Sequence, residues 1–250
     1  QAGYEKKAAK SIEDLKLGKS LVWSCKKVKC NQSVNIRYGN DTLYSGQRVY
    51  WQVKVTDTKG KNSEWSEIAY FEMGLLKAND WIAKWIEADL KEDTTTSQPC
   101  NMLRKEFTIS KKVKQARLYI SSHCLYSMAI NDSKGVQQEF TPGWTSYNKR
   151  IQYQTYDVSY QIIMGKNALS VTLGDGWYRG FLVWNKNRNV YGKKLALILQ
   201  LDITYDDNSK ETIITDNTWK ASTGPILKSD IYHGETYDAR LEKEGWGNGG

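Results

Sequence analysis

The chain has 250 residues, enough for one large or two ordinary domains, and its 40% hydrophobic and 26% charged residues exclude a fibrous or disordered class. A net charge of +8 raises nucleic acid as a partner, but the lysines are dispersed in pairs such as Lys6-Lys7, Lys26-Lys27 and Lys193-Lys194. Without a basic stripe, a solvated surface and no nucleic-acid partner are expected. No apolar run reaches the roughly 18 residues of a membrane-crossing helix, so no membrane partner is expected either.

The aromatic load is 10 Trp and 16 Tyr against 4 Phe. A core alone does not need so many rings with polar tips, so some are expected to line a surface. Cys25, Cys30, Cys100 and Cys124 form no CxxC or CxxH pair, which argues against a structural zinc site. Cys25 and Cys30 lie an odd number of residues apart, so on one straight strand they would face opposite sides. All four read as free, small hydrophobes. The chain starts at Gln1 without Met or a leader pattern, which reads as a mature or truncated N-terminus.

In chain order, Ser11-Ile-Glu-Asp14 predicts the cap of a short helical turn stopped by Gly18. In residues 49–55, Val49, Trp51, Val53 and Val55 share one face while Gln52 and Lys54 take the other. A turn at Asp57-Thr-Lys-Gly60 and a strand near Ile68-Ala-Tyr-Phe71 complete a pattern of short alternating strands. That pattern predicts an immunoglobulin-like or fibronectin-III-like sandwich over residues 1–76. Residues 77–100 read as a linker or interdomain segment, with Trp81 and Trp85 candidates to pin one domain on the next. The Thr- and Ser-rich stretch 91–99 reads as an exposed loop.

From residue 101 to 250 the strands lengthen. Residues 117–121 and 167–173 alternate, and Leu195, Leu197, Leu199, Leu201 and Ile203 fall on one face with Gln200, Asp202 and Thr204 opposite. Asp206-Asp-Asn-Ser209 reads as a hairpin turn. The one helical hint is Tyr160-Gln-Ile-Ile-Met164, stopped by Gly165. An all-β fold is predicted, with a larger jelly-roll-like β-sandwich as the second domain. The final Gly245-Trp-Gly-Asn-Gly-Gly250 reads as a cut end.

Two loops stand out, Thr141-Pro-Gly-Trp-Thr-Ser-Tyr-Asn-Lys-Arg150 and Gly174-Asp-Gly-Trp-Tyr-Arg-Gly180. Rigid strands presenting Gly- and Trp-rich loops suit a polar ligand with apolar C–H faces, which describes a sugar. Trp144, Tyr147, Asn148, Asp175, Trp177 and Trp184 are the candidate sugar-binding residues. The competing reading places Trp144 and Trp177 as core plugs beneath ordinary loops. Arg150 and Arg179 are expected as ion-paired supports.

Leu103-Arg-Lys-Glu-Phe107, Arg117-Leu-Tyr-Ile120, Pro142-Gly-Trp-Thr-Ser-Tyr-Asn-Lys-Arg150, Tyr156-Asp-Val158, Gly165-Lys-Asn167, Gly174-Asp-Gly-Trp-Tyr-Arg-Gly180 and Gly234-Glu-Thr-Tyr-Asp-Ala-Arg240 together resemble the N-terminal β-sandwich domain of bacterial α-L-rhamnosidases, glycoside hydrolase family 78. Tyr50-Trp-Gln-Val-Lys-Val-Thr-Asp57, Phe71-Glu-Met-Gly-Leu-Leu76 and Asp80-Trp-Ile-Ala-Lys-Trp-Ile86 resemble the fibronectin-III-like module before it. The resemblance covers about residues 21–246 and is similar above all to Bacteroides-type polysaccharide degraders, which implies an extracytoplasmic protein of the periplasm or cell surface. It implies a rhamnose-containing glycan as partner and a catalytic (α/α)₆ barrel, absent from this chain, as the other partner.

Inverting glycoside hydrolysis needs an acid and a base roughly 6.5–9.5 Å apart. The resemblance carries no such pair onto this sequence, so no catalytic residue is assigned and this region is expected to be inactive by itself. Glu235 and Asp238 read as structural, bonding Arg240 or a domain interface. Some related sandwiches hold L-rhamnose through calcium, with an Asp beside an Asn in the loop that resembles residues 147–150. Here Asn148-Lys149 stands in that place, and a Lys amine repels the ion, so a calcium cofactor is doubtful. Asp175 or Asp132 are the candidates to substitute. Two other classes stay open: a protein-interaction sandwich with a contiguous apolar patch, and an autonomous enzyme with a deep acid–base pocket.

Overall fold

The computed structural model describes residues 2–39, 42–134, 138–182 and 187–249. Tertiary contacts divide the chain into two units, Gln1–Trp81 and Ile82–Gly250.

In the first unit, β1 (Gly3–Ala9), β2 (Trp23–Val28), β3 (Arg48–Thr56) and β4 (Ala69–Glu72) form one antiparallel sheet in the order β2-β1-β3-β4. The helix α1 (Ile12–Leu17) follows β1. It starts where the sequence predicts, because the Asp14 amide donates to the Ser11 hydroxyl at 3.0 Å, and it stops where Gly18 adopts φ +65°, a conformation glycine takes without a Cβ penalty. Register sets Tyr4, Lys6 and Ala8 opposite Val55, Val53 and Trp51, so the odd positions of β3 share a face as expected. The other face carries charge: Lys54 pairs with Glu5 at 3.3 Å, and Lys7 and Lys54 hold their ammonium groups 4.8 and 5.1 Å from the Trp65 ring.

The second unit begins with β5 (Ile86–Glu87), β6 (Asn101–Ile109), β7 (Val113–Ser122), β8 (Leu125–Ile130) and β9 (Ser133–Lys134). It continues with β10 (Gln154–Asp157), β11 (Gly165–Gly174), the short helix α2 (Gly176–Arg179), β12 (Ala196–Tyr205) and β13 (Lys210–Ile214). The last strands are β14 (Lys220–Thr223), β15 (Ile226–Asp230) and β16 (Gly234–Tyr237). One sheet runs β10-β7-β12-β13 with β5 also on β12, a second runs β14-β6-β11-β8-β9, and β15 pairs with β16. The fold is all-β, as the sequence predicts.

Burial explains the two-sheet arrangement. β7 and β12 contribute Leu118, Ile120, Leu197, Leu199, Leu201 and Ile203 to a core that β6, β8 and β11 fill with Leu103, Phe107, Met128, Ile130, Leu169, Val171 and Leu173. β6 and β8 show the period-2 alternation of a sheet with one buried face, whereas β7 and β12 are buried over most of their length. Gln200 on the opposite face of β12 is nonetheless buried. The reason lies in the stretch after Trp81: the Ile82 amide donates to Gln200 Oε1 at 2.9 Å, the Thr215 hydroxyl donates to Lys84 O at 2.6 Å, and β5 pairs with Ala196 and Leu197 just past the end of β13.

The helix expected over residues 160–164 is a turn instead. Asn167 takes the place of the helical hydrogen bonds: its Oδ1 accepts from the Ile163 amide at 3.0 Å and its Nδ2 donates to Ile163 O at 2.8 Å. A side chain that satisfies local backbone groups competes directly with a helix. All four cysteines are free thiols, Cys100 and Cys124 buried and Cys25 and Cys30 half-buried. Burial pushes the Cys100 thiol up to about 12 and raises Cys124 as well, which makes both inert nucleophiles at neutral pH.

Candidate functional site: an aromatic platform on the second unit

The two glycine- and tryptophan-rich loops meet. The indole rings of Trp144 and Trp177 stack with centroids 5.9 Å apart and planes only 7° from parallel, and Phe140 tilts against Trp177 at 5.9 Å. Trp144 is 52% exposed, so the core-plug reading does not hold for it, while Trp177 is half-buried. The Trp144 indole N–H donates to the Tyr191 hydroxyl at 3.1 Å, which fixes the ring in its plane.

A second cluster of rings joins the platform at Tyr191. Tyr147 is buried; its hydroxyl donates to Gly143 O at 2.8 Å, and it meets Tyr178 and Tyr191 edge-on at 5.5 and 5.0 Å. Tyr178 stacks on His123 at 4.8 Å, and His123 stacks on Trp85 at 4.3 Å. Edge-to-face and offset-stacked pairs of this kind each add about 0.5–1.5 kcal/mol beyond the area they bury. Tyr147, expected to face a sugar, is therefore a support.

A buried charge cluster holds the second loop in place. Arg179 is wholly buried; its Nε donates to Asp175 Oδ1 at 2.6 Å and its Nη1 to Glu92 Oε2 at 2.8 Å. Arg188 donates to the other Asp175 oxygen at 3.1 Å, and Asn189 Nδ2 donates to Thr94 O at 2.8 Å. These bonds tie residues 92–94, α2 and residues 188–189 into one block. At Asp230, one carboxylate oxygen accepts from the Phe181 amide and the other from the Tyr232 and His233 amides. Gly176 takes φ +52°, and a Cβ there would sit 2.7 Å from Leu125 Cγ, so only glycine lets α2 start this close to β8.

Burial pushes the Asp175 carboxyl up, against the pull of Arg179 and Arg188. At Arg179 burial acts downward but is outweighed by Asp175 and Glu92. With two guanidinium groups within 3.1 Å, Asp175 is ionised at neutral pH. This corrects the sequence expectation: Asp175 is buried and committed to two arginines. Arg179 is the ion-paired support expected of it, whereas Arg150 is exposed and has no ion pair among the described residues. Asn148 lies exposed in the turn at residues 147–149. Trp184 lies outside the described residues. Asp238 bonds Arg240 through both carboxylate oxygens, at 2.8 and 2.6 Å, as expected.

Calcium does not fit these residues. Lys149 neighbours Asn148, Asp175 is occupied by arginine, and among the described residues no three His, Cys, Asp or Glu side chains converge as a metal site. Sequence reasoning missed Phe140, Tyr178, Tyr191, His123, Glu92 and Arg188. Tyr178 sits inside the second glycine-rich loop, but the others are joined to it only by the fold.

His123 gives a pH signature. Its burial between two rings lowers its pKa, with Glu87 acting the other way. A base depressed in the folded state gives its full stability above the unfolded value of about 6.5 and loses it as pH falls, because the unfolded chain takes up the proton first. The unfolding midpoint should therefore drop more steeply below about pH 6.5 for the native protein than for His123→Phe, which keeps the stack. Parallel slopes in denaturation at several pH values would refute this.

Fold and loops together define the class: a two-unit, all-β protein whose larger sandwich presents a rigid aromatic platform. Residues 111–250 match the α-L-rhamnosidase N-terminal domain, and residues 1–77 match the Rha78A-like, N-terminal immunoglobulin domain. The chain belongs to the α-L-rhamnosidase N-terminal domain family. It is 41% identical over 253 residues to an α-L-rhamnosidase of Formosa agariphila, an alignment covering 98% of this chain and 27% of that protein. The crystal structure of the Aspergillus terreus α-L-rhamnosidase superposes with a TM-score of 0.90 at 35% identity, over 100% of this chain and 28% of the other. That of Dictyoglumus thermophilum gives 0.88 at 34% identity, with 100% and 28% covered. The chain thus spans little more than a quarter of each of these three proteins.

Proposed function

We propose that this chain is the accessory N-terminal region of an α-L-rhamnosidase that acts on rhamnose-containing glycans. Its second unit braces the remainder of the enzyme, and the Trp144–Trp177 platform holds a rhamnosyl residue of the glycan. The observation that carries the sugar reading is the near-parallel stack of the exposed Trp144 and the half-buried Trp177, with Trp144 held by its hydrogen bond to Tyr191, which Tyr147 meets edge-on. The C–H-rich face of a deoxysugar packs on such a ring, while the exposed Asn148, next to Tyr147 in the same loop, offers both a donor and an acceptor for hydroxyls. The bracing role rests on the hairpin of β15 and β16: every residue of β16 is exposed, and Tyr232 and Tyr237 present rings at 59% and 51% exposure.

Calorimetric titration with L-rhamnose and with a rhamnosyl oligosaccharide tests the platform. Stacking on one ring is on the order of 0.5–1.5 kcal/mol, so Trp144→Ala or Trp177→Ala should weaken binding roughly two- to twelvefold. A calcium chelator should leave the affinity unchanged. Calcium-dependent binding, or binding indifferent to both substitutions, contradicts the assignment.

A further inference from the structure

We propose that Phe140 extends the Trp144–Trp177 platform to a second sugar unit, so that the site takes two successive units of a rhamnose-containing glycan. This rests on the sugar reading of the platform and adds to it the length of glycan bound.

Trp177 is the ring that the other two share. Its indole lies parallel to that of Trp144 at 5.9 Å, and its plane makes 47° with the Phe140 ring, also at 5.9 Å. Carbon atoms in contact lie about 3.5–4 Å apart, so parallel rings with centroids at 5.9 Å are slid past one another rather than covering each other face to face. Phe140 is 61% exposed and Trp144 52%, while Trp177, in contact with both, is half-buried. Because the two indoles share one plane direction, the tilt of Phe140 gives the surface a second facet. A glycosidic bond turns successive sugar rings relative to each other, so a flat surface suits one unit and a faceted surface suits two. Gln138 and Glu139, exposed and next to Phe140 in the chain, offer an amide and a carboxylate for the hydroxyls of the second unit.

The backbone at Phe140 supplies an independent reason. Its φ is +59°, a left-handed conformation that is an outlier for a bulky residue. Of the seven non-glycine residues with positive φ among the described residues, the other six are Ser, Asn or Asp, so the fold otherwise reserves this conformation for short polar side chains. Such a backbone persists only where its surroundings impose it. Thr141 does so: it is buried, its carbonyl accepts from the Tyr126 amide at 3.1 Å, and its hydroxyl donates to Gln138 O at 3.3 Å. A turn that needs only to reverse the chain is served by Gly or Asn. A phenyl ring held there against its backbone preference, and left mostly exposed, returns little packing to the fold; contact with a ligand accounts for it.

Calorimetric titration with L-rhamnose, and with rhamnobioses α-linked through each of the free ring hydroxyls in turn, tests the proposal. At least one biose should bind roughly two- to twelvefold more tightly than L-rhamnose, the gain of one further ring contact. Phe140→Asn should cancel that gain and leave L-rhamnose binding unchanged. The same variant should melt no lower than the native protein, because asparagine takes the left-handed backbone with less strain. Melting thus separates a ligand contact from a loop anchor, whose removal would lower the transition. Bioses that bind no tighter than L-rhamnose, a gain that survives Phe140→Asn, or a Phe140→Asn protein that melts lower each overturn the proposal. If L-rhamnose still binds through Trp144 and Trp177 in those cases, the platform reading stands without the extension. If neither L-rhamnose nor any biose binds, both fall.

Discussion

Replacing Arg179 by alanine is expected to destabilise the second unit by about 3–5 kcal/mol, because it takes the counter-charge from the half-buried Glu92 and leaves the buried Asp175 with Arg188 alone. Arg179 has no exposed surface, and it joins Asp175, at the start of α2, to Glu92. For a unit of this size each kcal/mol moves the melting temperature by roughly 2–4 °C, so the variant should melt well over 5 °C lower. Arg179→Lys should recover little, since a point ammonium cannot reach both carboxylates as the planar fork does. Removing Asp175 and Glu92 together with Arg179 should restore part of the loss, which a purely volumetric effect would not do. Denaturant titration followed by tryptophan emission reads all three variants, and an Arg179→Ala protein within about 1 kcal/mol of the native one contradicts the cluster's role.

Leu199→Ala is expected to cost about 2–5 kcal/mol, the sum of lost transfer energy and the cavity left between the two sheets. Leu199 is wholly buried at the centre of β12 and pairs in register with Ile120 of β7. Leu199→Met, which nearly conserves volume, should cost less than about 1.5 kcal/mol. Equal losses for the two variants would show that the site does not behave as a packed core.

These same residues show what the sequence discloses. The alternation of Leu195, Leu197, Leu199, Leu201 and Ile203 can be read without coordinates, because a sheet buried on one face writes its period into the chain. The cap at Ser11 and the stop at Gly18 are equally local. Tyr160-Gln-Ile-Ile-Met164 misleads for the opposite reason: Asn167, four residues past Ile163, takes the backbone groups a helix would use. The composition of the two loops raises the question of whether Trp144 meets Trp177, and only the path of the intervening strands answers it. Asp175 could be noticed as an acid near a tryptophan, but its commitment to arginine depends on Arg188 and on Glu92, 83 positions away by the numbering. Pattern reports burial well and reports long-range polar partners poorly, because a polar residue's role is fixed by whichever group the fold delivers to it.

The platform's role is tested most directly by following the indole N–H resonances of the 10 tryptophans in heteronuclear NMR as L-rhamnose is added. The account predicts that the Trp144 and Trp177 signals shift together and saturate with one affinity, while Trp219 and Trp246 stay still. Signals that remain fixed for both stacked indoles, or that move only at other tryptophans, would contradict it.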